Sequence, residues 1–158
     1  MERTFLYQTI INEGFISGIE VGTSNGYSGI WLGKAFKDNR GKLNTIEFYE
    51  KRYSVAQANF EKCGVSDIIE IKQGDGATVL EYLPPDYKVD FAFIDANKRQ
   101  YIDFFHLIDP HLTIGGYIAC DNVISHAQKV QTFLEDINNK NKDEQNSIKK
   151  DIINKRIL

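Results

Sequence analysis

Phe15-Ile16-Ser17-Gly18-Ile19-Glu20-Val21 runs directly into Gly22-Thr23-Ser24-Asn25-Gly26-Tyr27-Ser28, and the reading of this junction decides the fold. An apolar, β-favouring run ends in a loop with two glycines. Helical spacing then takes over through Ser28–Phe36. Outward from it the same alternation recurs. Lys42–Phe48, Asp67–Gln73, Lys88–Asp95 and Tyr117–Cys120 read as four further strands. Glu50–Cys63, Thr78–Leu83 and Gln100–Ile108 read as the helices between them. In Glu50–Cys63, Tyr53, Ala56, Phe60 and Cys63 share one face, and Gly64 supplies a stop. Pro84–Pro85 ends the next helix, and Pro110 follows the last. Strands separated by helices of this length pair in parallel, which predicts an α/β sandwich. The near-continuous apolar run Val89–Ile94 agrees, because a central parallel strand is covered on both faces.

Past the fifth strand, Val130, Phe133, Leu134 and Ile137 are spaced as one face of another helix. Asn138–Ser147 is polar and rich in Asn and Lys, and reads as a loop. Ile148, Ile152 and Ile153 suggest a short terminal helix, with no further strand. The expectation is one domain over residues 1–137, a polar tail over 138–158, and a sheet that stops at five strands.

Composition narrows the function classes. The chain has 158 residues, enough for one domain with a sizeable core. Its 42% hydrophobic and 26% charged residues are those of a globular chain. A net charge of −3 argues against a general nucleic-acid binder. Cys63 and Cys120 form no Cys-x-x-Cys pair and suit a reducing compartment. No apolar run approaches a membrane span and no leader opens the chain, so a cytoplasmic protein without membrane or nucleic-acid partners is expected.

In an open parallel sheet, ligands bind beyond the carboxyl ends of the strands. The glycines of Glu20–Ser28 let the backbone approach a ligand, and the following helix offers free amides to an anion. Glu47, ending the second strand, is placed to accept hydrogen bonds from both hydroxyls of a ribose. Singly, each has a plain reading as a turn or a solvated charge. Together, in order on adjacent strands, they point to a nucleoside. The loop also spells Gly-x-Ser-x-Gly, the nucleophile elbow of α/β-hydrolases, with Asp121 and His126 following in that family's order. An elbow normally follows several strands and a separate oxyanion loop, and this one follows neither.

The fourth strand ends in Ile94-Asp95-Ala96-Asn97-Lys98 and the fifth in Cys120-Asp121-Asn122. If the strands are neighbours, Asp95, Asp121 and Asn122 converge as hard oxygen donors of the kind Mg²⁺ prefers. Lys98 lies beside them, and a lysine becomes a usable base when desolvation or a nearby cation depresses its pKa.

Glu20–Ser28, Glu47, Gly74-Asp75-Gly76-Ala77, Asp95-Ala96-Asn97-Lys98 and Asp121-Asn122 together resemble the cation-dependent O-methyltransferases, the family of the catechol and caffeoyl-coenzyme A enzymes. The resemblance runs from about Phe5 to Ile137. It implies the Rossmann-like fold of methyltransferases that use S-adenosylmethionine. Glu20, Gly22, Ser28 and Asp95 would then lie around the cofactor, Glu47 on its ribose, and the backbone of Asp75, Gly76 and Ala77 on its adenine. Asp95, Asp121 and Asn122 match the ligands of Mg²⁺, or of another divalent ion such as Mn²⁺, and Lys98 matches the general base. The implied substrate is a small molecule with vicinal hydroxyls.

The family pattern also has helices before the first strand and a closing β-hairpin, giving a strand order 3-2-1-4-5-7-6. Neither is read in this sequence, and Asn97 stands where an acidic residue is common. A methyltransferase-fold module that binds cofactor or protein with little turnover is the alternative. A nicotinamide-dependent oxidoreductase would share Glu47 but prefers Gly-x-Gly-x-x-Gly. Without the hairpin, Gly116–Cys120 would be an apolar sheet edge with no charge to blunt it. Association of two chains along that edge is expected over the tail folding back on it.

Overall fold

The computed structural model describes residues 2–123, 128, 130–136 and 152–153, the last two, like residues 2 and 3, by backbone alone. Strands β1 (Ser17–Val21), β2 (Lys42–Glu47), β3 (Ile69–Gln73), β4 (Val89–Ile94) and β5 (Leu112–Cys120) alternate with helices α2 (Tyr27–Asp38), α3 (Glu50–Lys62), α4 (Gly76–Glu81) and α5 (Tyr101–Ile108). Helix α1 (Glu2–Glu13) precedes β1, and a short β6 (Ile152–Ile153) follows. The sheet order is β3-β2-β1-β4-β5-β6, with every neighbouring pair parallel. The α/β expectation holds.

Two apolar layers flank the sheet. Phe91, Phe93 and Ala119 pack with Leu32, Phe36 and Phe60 on one face. Ala92, Ile94 and Ile118 pack with Leu80, Tyr101, Phe104 and Phe105 on the other. Alternate residues of β4 therefore enter opposite cores, which is why Val89–Ile94 is apolar almost throughout. In α3, Ala56 and Phe60 are buried but Cys63 is exposed, so the expected face is narrower than its spacing suggests.

Three elements depart from the sequence reading. Helix α1 is absent from it, because its β-branched Thr4, Thr9, Ile10 and Ile11 weaken helix propensity. Packing supplies what propensity lacks: Leu6 and Ile10 are fully buried, and the Asn39 amide donates to the carbonyls of Ile10 (2.8 Å) and Phe15 (2.9 Å). Strand β5 begins at Leu112, not Tyr117. Its register shifts between the Val89–Leu112 and Phe91–Tyr117 pairs, with Gly115 at φ 81°. A bulge at these glycines thus interrupts the strand without ending it.

The third departure corrects the tail. Ile152 and Ile153 form a strand, not a helix, pairing with Ile118 and Ala119. Among the described residues the sheet has six strands, and at Ile152 and Ile153 the chain's own tail takes the edge expected to receive a second chain. β-branched residues beside an unpaired apolar edge favour this outcome. Val130, Phe133 and Leu134 lie at a described helical turn over 131–136, whereas His126, Ile137 and the polar run 138–147 fall outside the described residues. Among the described residues no helix is long and apolar enough to cross a membrane.

Candidate functional site

The chain reverses direction across the sheet between β1 and β4, which both pair in the middle of it, and a crevice opens beyond their carboxyl ends. Gly22 makes that crevice possible. It has φ 105°, and a Cβ there would collide with the carbonyl oxygen of Asp95. Only glycine lets the first loop cross so close to the end of β4. Its N–H and that of Thr23 both donate to Ile46 O, at 3.0 and 3.1 Å, pinning the loop to β2.

Glu47 closes β2 almost fully buried, at 4% exposure. Its Oε2 accepts from Ser24 N–H at 2.7 Å and its Oε1 from Tyr49 N–H at 2.9 Å. Two backbone amides thus fix the carboxylate at the wall of a cavity of about 470 Å³. Val21, Gly22, Ser24, Gly74, Asp75, Gly76 and Asp95 share that wall, and Phe48, Tyr49 and Arg52 form its rim beside Glu47. Gly74 N–H donates to Glu47 O at 2.9 Å, which brings the third loop alongside the second. Asp75 caps α4, its Oδ1 accepting from Thr78 N–H at 3.0 Å.

Not every expected residue reaches the cavity. Glu20 is wholly buried behind the loop, where its Oε2 accepts from Thr45 Oγ1 at 2.6 Å, and Thr45 in turn meets Thr23 Oγ1 at 2.6 Å. Ser28 is buried in the first turn of α2, and Ala77 packs against the core. None of these three lines the cavity. Glu20 instead supports the loop from behind through Thr45 and Thr23, and Ser28 is buried in α2.

The other end is built from side chains. Asp95 and Asp121 directly follow the paired residues Ile94 and Cys120, so the two carboxylates stand on neighbouring strand ends as expected. Lys98 Nζ donates to Asp95 Oδ1 at 3.2 Å and to Tyr101 Oη at 2.6 Å. The Tyr101 hydroxyl lies 3.0 Å from Ile94 O and 3.1 Å from Asp121 O. Burial raises its pKa well above the ordinary phenol value. Burial likewise pushes the Cys120 thiol up to about 12. Asn122 adopts φ 58°, and its amide nitrogen donates to Asp121 Oδ2 at 2.7 Å. Lys98, Asp121 and Asn122 lie beside the cavity but not in its wall.

No group of three or more His, Cys, Asp or Glu suited to a metal occurs among the described residues. A cation here would be held by two carboxylates and one amide oxygen. These are hard donors of low total charge, which fit a weakly held Mg²⁺ or Mn²⁺ with positions left for other oxygens. Sequence reasoning passed over Ser24, the aromatic rim and Tyr101. Tyr101 had a signal, standing one helical turn past Lys98.

Comparison with known proteins agrees with this geometry. Residues 2–157 match the family described as O-methyltransferase. The chain is 35% identical over 108 residues to a catechol O-methyltransferase of Niastella koreensis, covering 67% of this chain and 48% of that protein. It is 33% identical over 110 residues to caffeoyl-CoA O-methyltransferase 5 of Nicotiana tabacum, covering 67% and 45%. The chain therefore spans about half the length of these curated relatives. The crystal structure of a Bacillus cereus O-methyltransferase in complex with S-adenosylhomocysteine superposes with a TM-score of 0.79 at 27% identity, covering 87% of this chain and 68% of that one.

Proposed function

The chain belongs to the O-methyltransferase family, and from that premise we propose that its cavity binds S-adenosylmethionine and serves methylation of a small vicinal-hydroxyl substrate assisted by a divalent cation. One observation carries this reading: a single cavity runs from Glu47 at the end of β2, past Gly22, to Asp95 at the end of β4. When bound, the cofactor supplies an electrophilic methyl on a sulfonium, and the cation makes a hydroxyl more acidic and fixes its orientation.

The chain's own residues do the rest. Glu47, already fixed by two amides, accepts the ribose hydroxyls on its remaining lone pairs. Gly22 lets the loop pack against the end of β4, so that the cavity runs unbroken from Glu47 to Asp95, where the cofactor would lie. The backbone of Asp75 and Gly76, which line the cavity, would border the adenine. Asp95, Asp121 and Asn122 would hold the cation, and Lys98 Nζ would receive the proton leaving the acceptor hydroxyl. The names of the Niastella and Nicotiana relatives support a catechol-like acceptor.

Methylation of a simple catechol should appear with Mg²⁺ or Mn²⁺, vanish with chelator and return on readdition. Chelator-resistant methylation would remove the cation from the reading. Cofactor binding without methylation of any vicinal diol would favour the alternative of a binding module with little turnover.

A further inference from the structure

We infer that Tyr101 is a positioning residue, whose buried hydroxyl ties the ends of β4 and β5 together and holds the Lys98 amine beside Asp95. The inference rests on the reading of Lys98 as the proton acceptor, though the hydrogen bonds it starts from do not. A phenol has one proton to give. Two carbonyl oxygens, Ile94 O at 3.0 Å and Asp121 O at 3.1 Å, compete for it. The third neighbour, Lys98 Nζ at 2.6 Å, must therefore be the donor, with Tyr101 Oη accepting. The direction of every bond in the cluster follows from that count.

The two carbonyls lie on adjacent strand ends one register step apart, since Ile94 pairs with Cys120 and Asp121 follows it. One belongs to the residue before Asp95 and the other to Asp121 itself. A single hydroxyl thus bridges the backbone at the points from which the two carboxylates project. Tyr101 is well placed to act as a fixed post. It is fully buried, opens α5, and meets Phe133 edge-on at 5.9 Å. Lys98 also lies over its ring, 4.8 Å from the centroid. Both contacts are made by Nζ itself, so the tip of the lysine is held by the hydroxyl and the ring of one residue. Asp95 alone would leave a flexible four-carbon chain to sample many rotamers.

The test compares the whole chain with Tyr101→Phe, which keeps the ring and removes the hydroxyl. Competitive reductive methylation with formaldehyde and borohydride, read residue by residue by mass spectrometry, reports how firmly the Lys98 amine is held, with no cofactor or turnover required. Lys98 should label about fivefold faster or more in Tyr101→Phe, relative to exposed lysines in the same sample. In the catechol assay the same variant should lose about tenfold or more in kcat with little change in KM. In a Lys98→Ala background Tyr101→Phe should add much less than in the wild type, only what loosening the two strand ends costs, whereas a role independent of the lysine would add its full effect there.

Unchanged Lys98 labelling in Tyr101→Phe would overturn the inference. Faster labelling in a protein that neither binds cofactor nor methylates would uphold the post and overturn the proposed function instead. If Tyr101→Phe does not fold, Asp95→Asn serves in the labelling experiment. Lys98 should then stay within about twofold of its original rate because Tyr101 still holds it. A rise to the rate of the exposed lysines would show that Asp95 alone held it, and would also overturn the inference.

Discussion

The two ends of the crevice are built differently. At the Glu47 end, backbone does the fixing: amides of Ser24 and Tyr49 on the carboxylate, amides of Gly22 and Thr23 on Ile46, and a glycine where no other residue fits. At the Asp95 end, side chains fix one another: Lys98 on Asp95 and Tyr101, Asn122 on Asp121. A backbone-built site is specified by residues that control chain path. A side-chain-built site depends on a network in which each member needs the others. The first should fail all at once when its path is blocked, and the second should fail by degrees.

The sharpest way to break this contrast is Gly22→Ala. It meets both a φ of 105° and the Asp95 carbonyl, and should cost about 3 kcal/mol or more in a urea unfolding measurement. A loss below about 1 kcal/mol would show that the loop has room to shift, and the backbone-built description would be wrong.

A smaller effect is expected at the other end with alkali. In the folded protein burial keeps the Cys120 thiol protonated until about pH 12, while the unfolded thiol titrates near 9. Above pH 9 the unfolded state therefore binds fewer protons, so stability is fully present below that pH and falls as pH rises toward 12. The slope from this one group is at most about 1.4 kcal/mol per pH unit. Urea midpoints at pH 8 and 10.5 should differ more in the wild type than in Cys120→Ala. Part of the slope will persist in the variant, because the pKa of Tyr101 is raised as well. Equal pH dependence in both proteins would mean that the thiol is not sealed in.

The smallest effect belongs to the third loop. Asp75→Ala removes the side-chain cap of α4 and should cost about 1 kcal/mol in the same assay. Its influence on cofactor affinity should be slight, since the carboxylate is already engaged by Thr78.

The same contrast explains what could be read in advance. Gly22, Glu47 and the strand-end Asp95 and Asp121 were legible, because chain path and strand order place them with no knowledge of packing. Glu20 and Ser28 stand behind the loop and not in the cavity wall. Their position in the loop is plain in the sequence, but the direction of a side chain behind it is decided by neighbours such as Thr45. Tyr101 was not singled out within the helix expected over Gln100–Ile108; only the convergence of Ile94, Lys98 and Asp121 on its hydroxyl marks it. Helix α1 and strand β6 were missed for a related reason. Both are stabilised by partners far away in the chain, Asn39 for the one and Ile118–Ala119 for the other.

Calorimetric titration of S-adenosylhomocysteine into the wild type and into Glu47→Ala tests the central claim most directly. The wild type should bind one equivalent, and Glu47→Ala should lose about 1.5–3 kcal/mol of binding free energy, tenfold or more in affinity, while unfolding at a similar urea concentration. Identical titrations of the two proteins, or no heat from either, would contradict the assignment of this cavity to the cofactor.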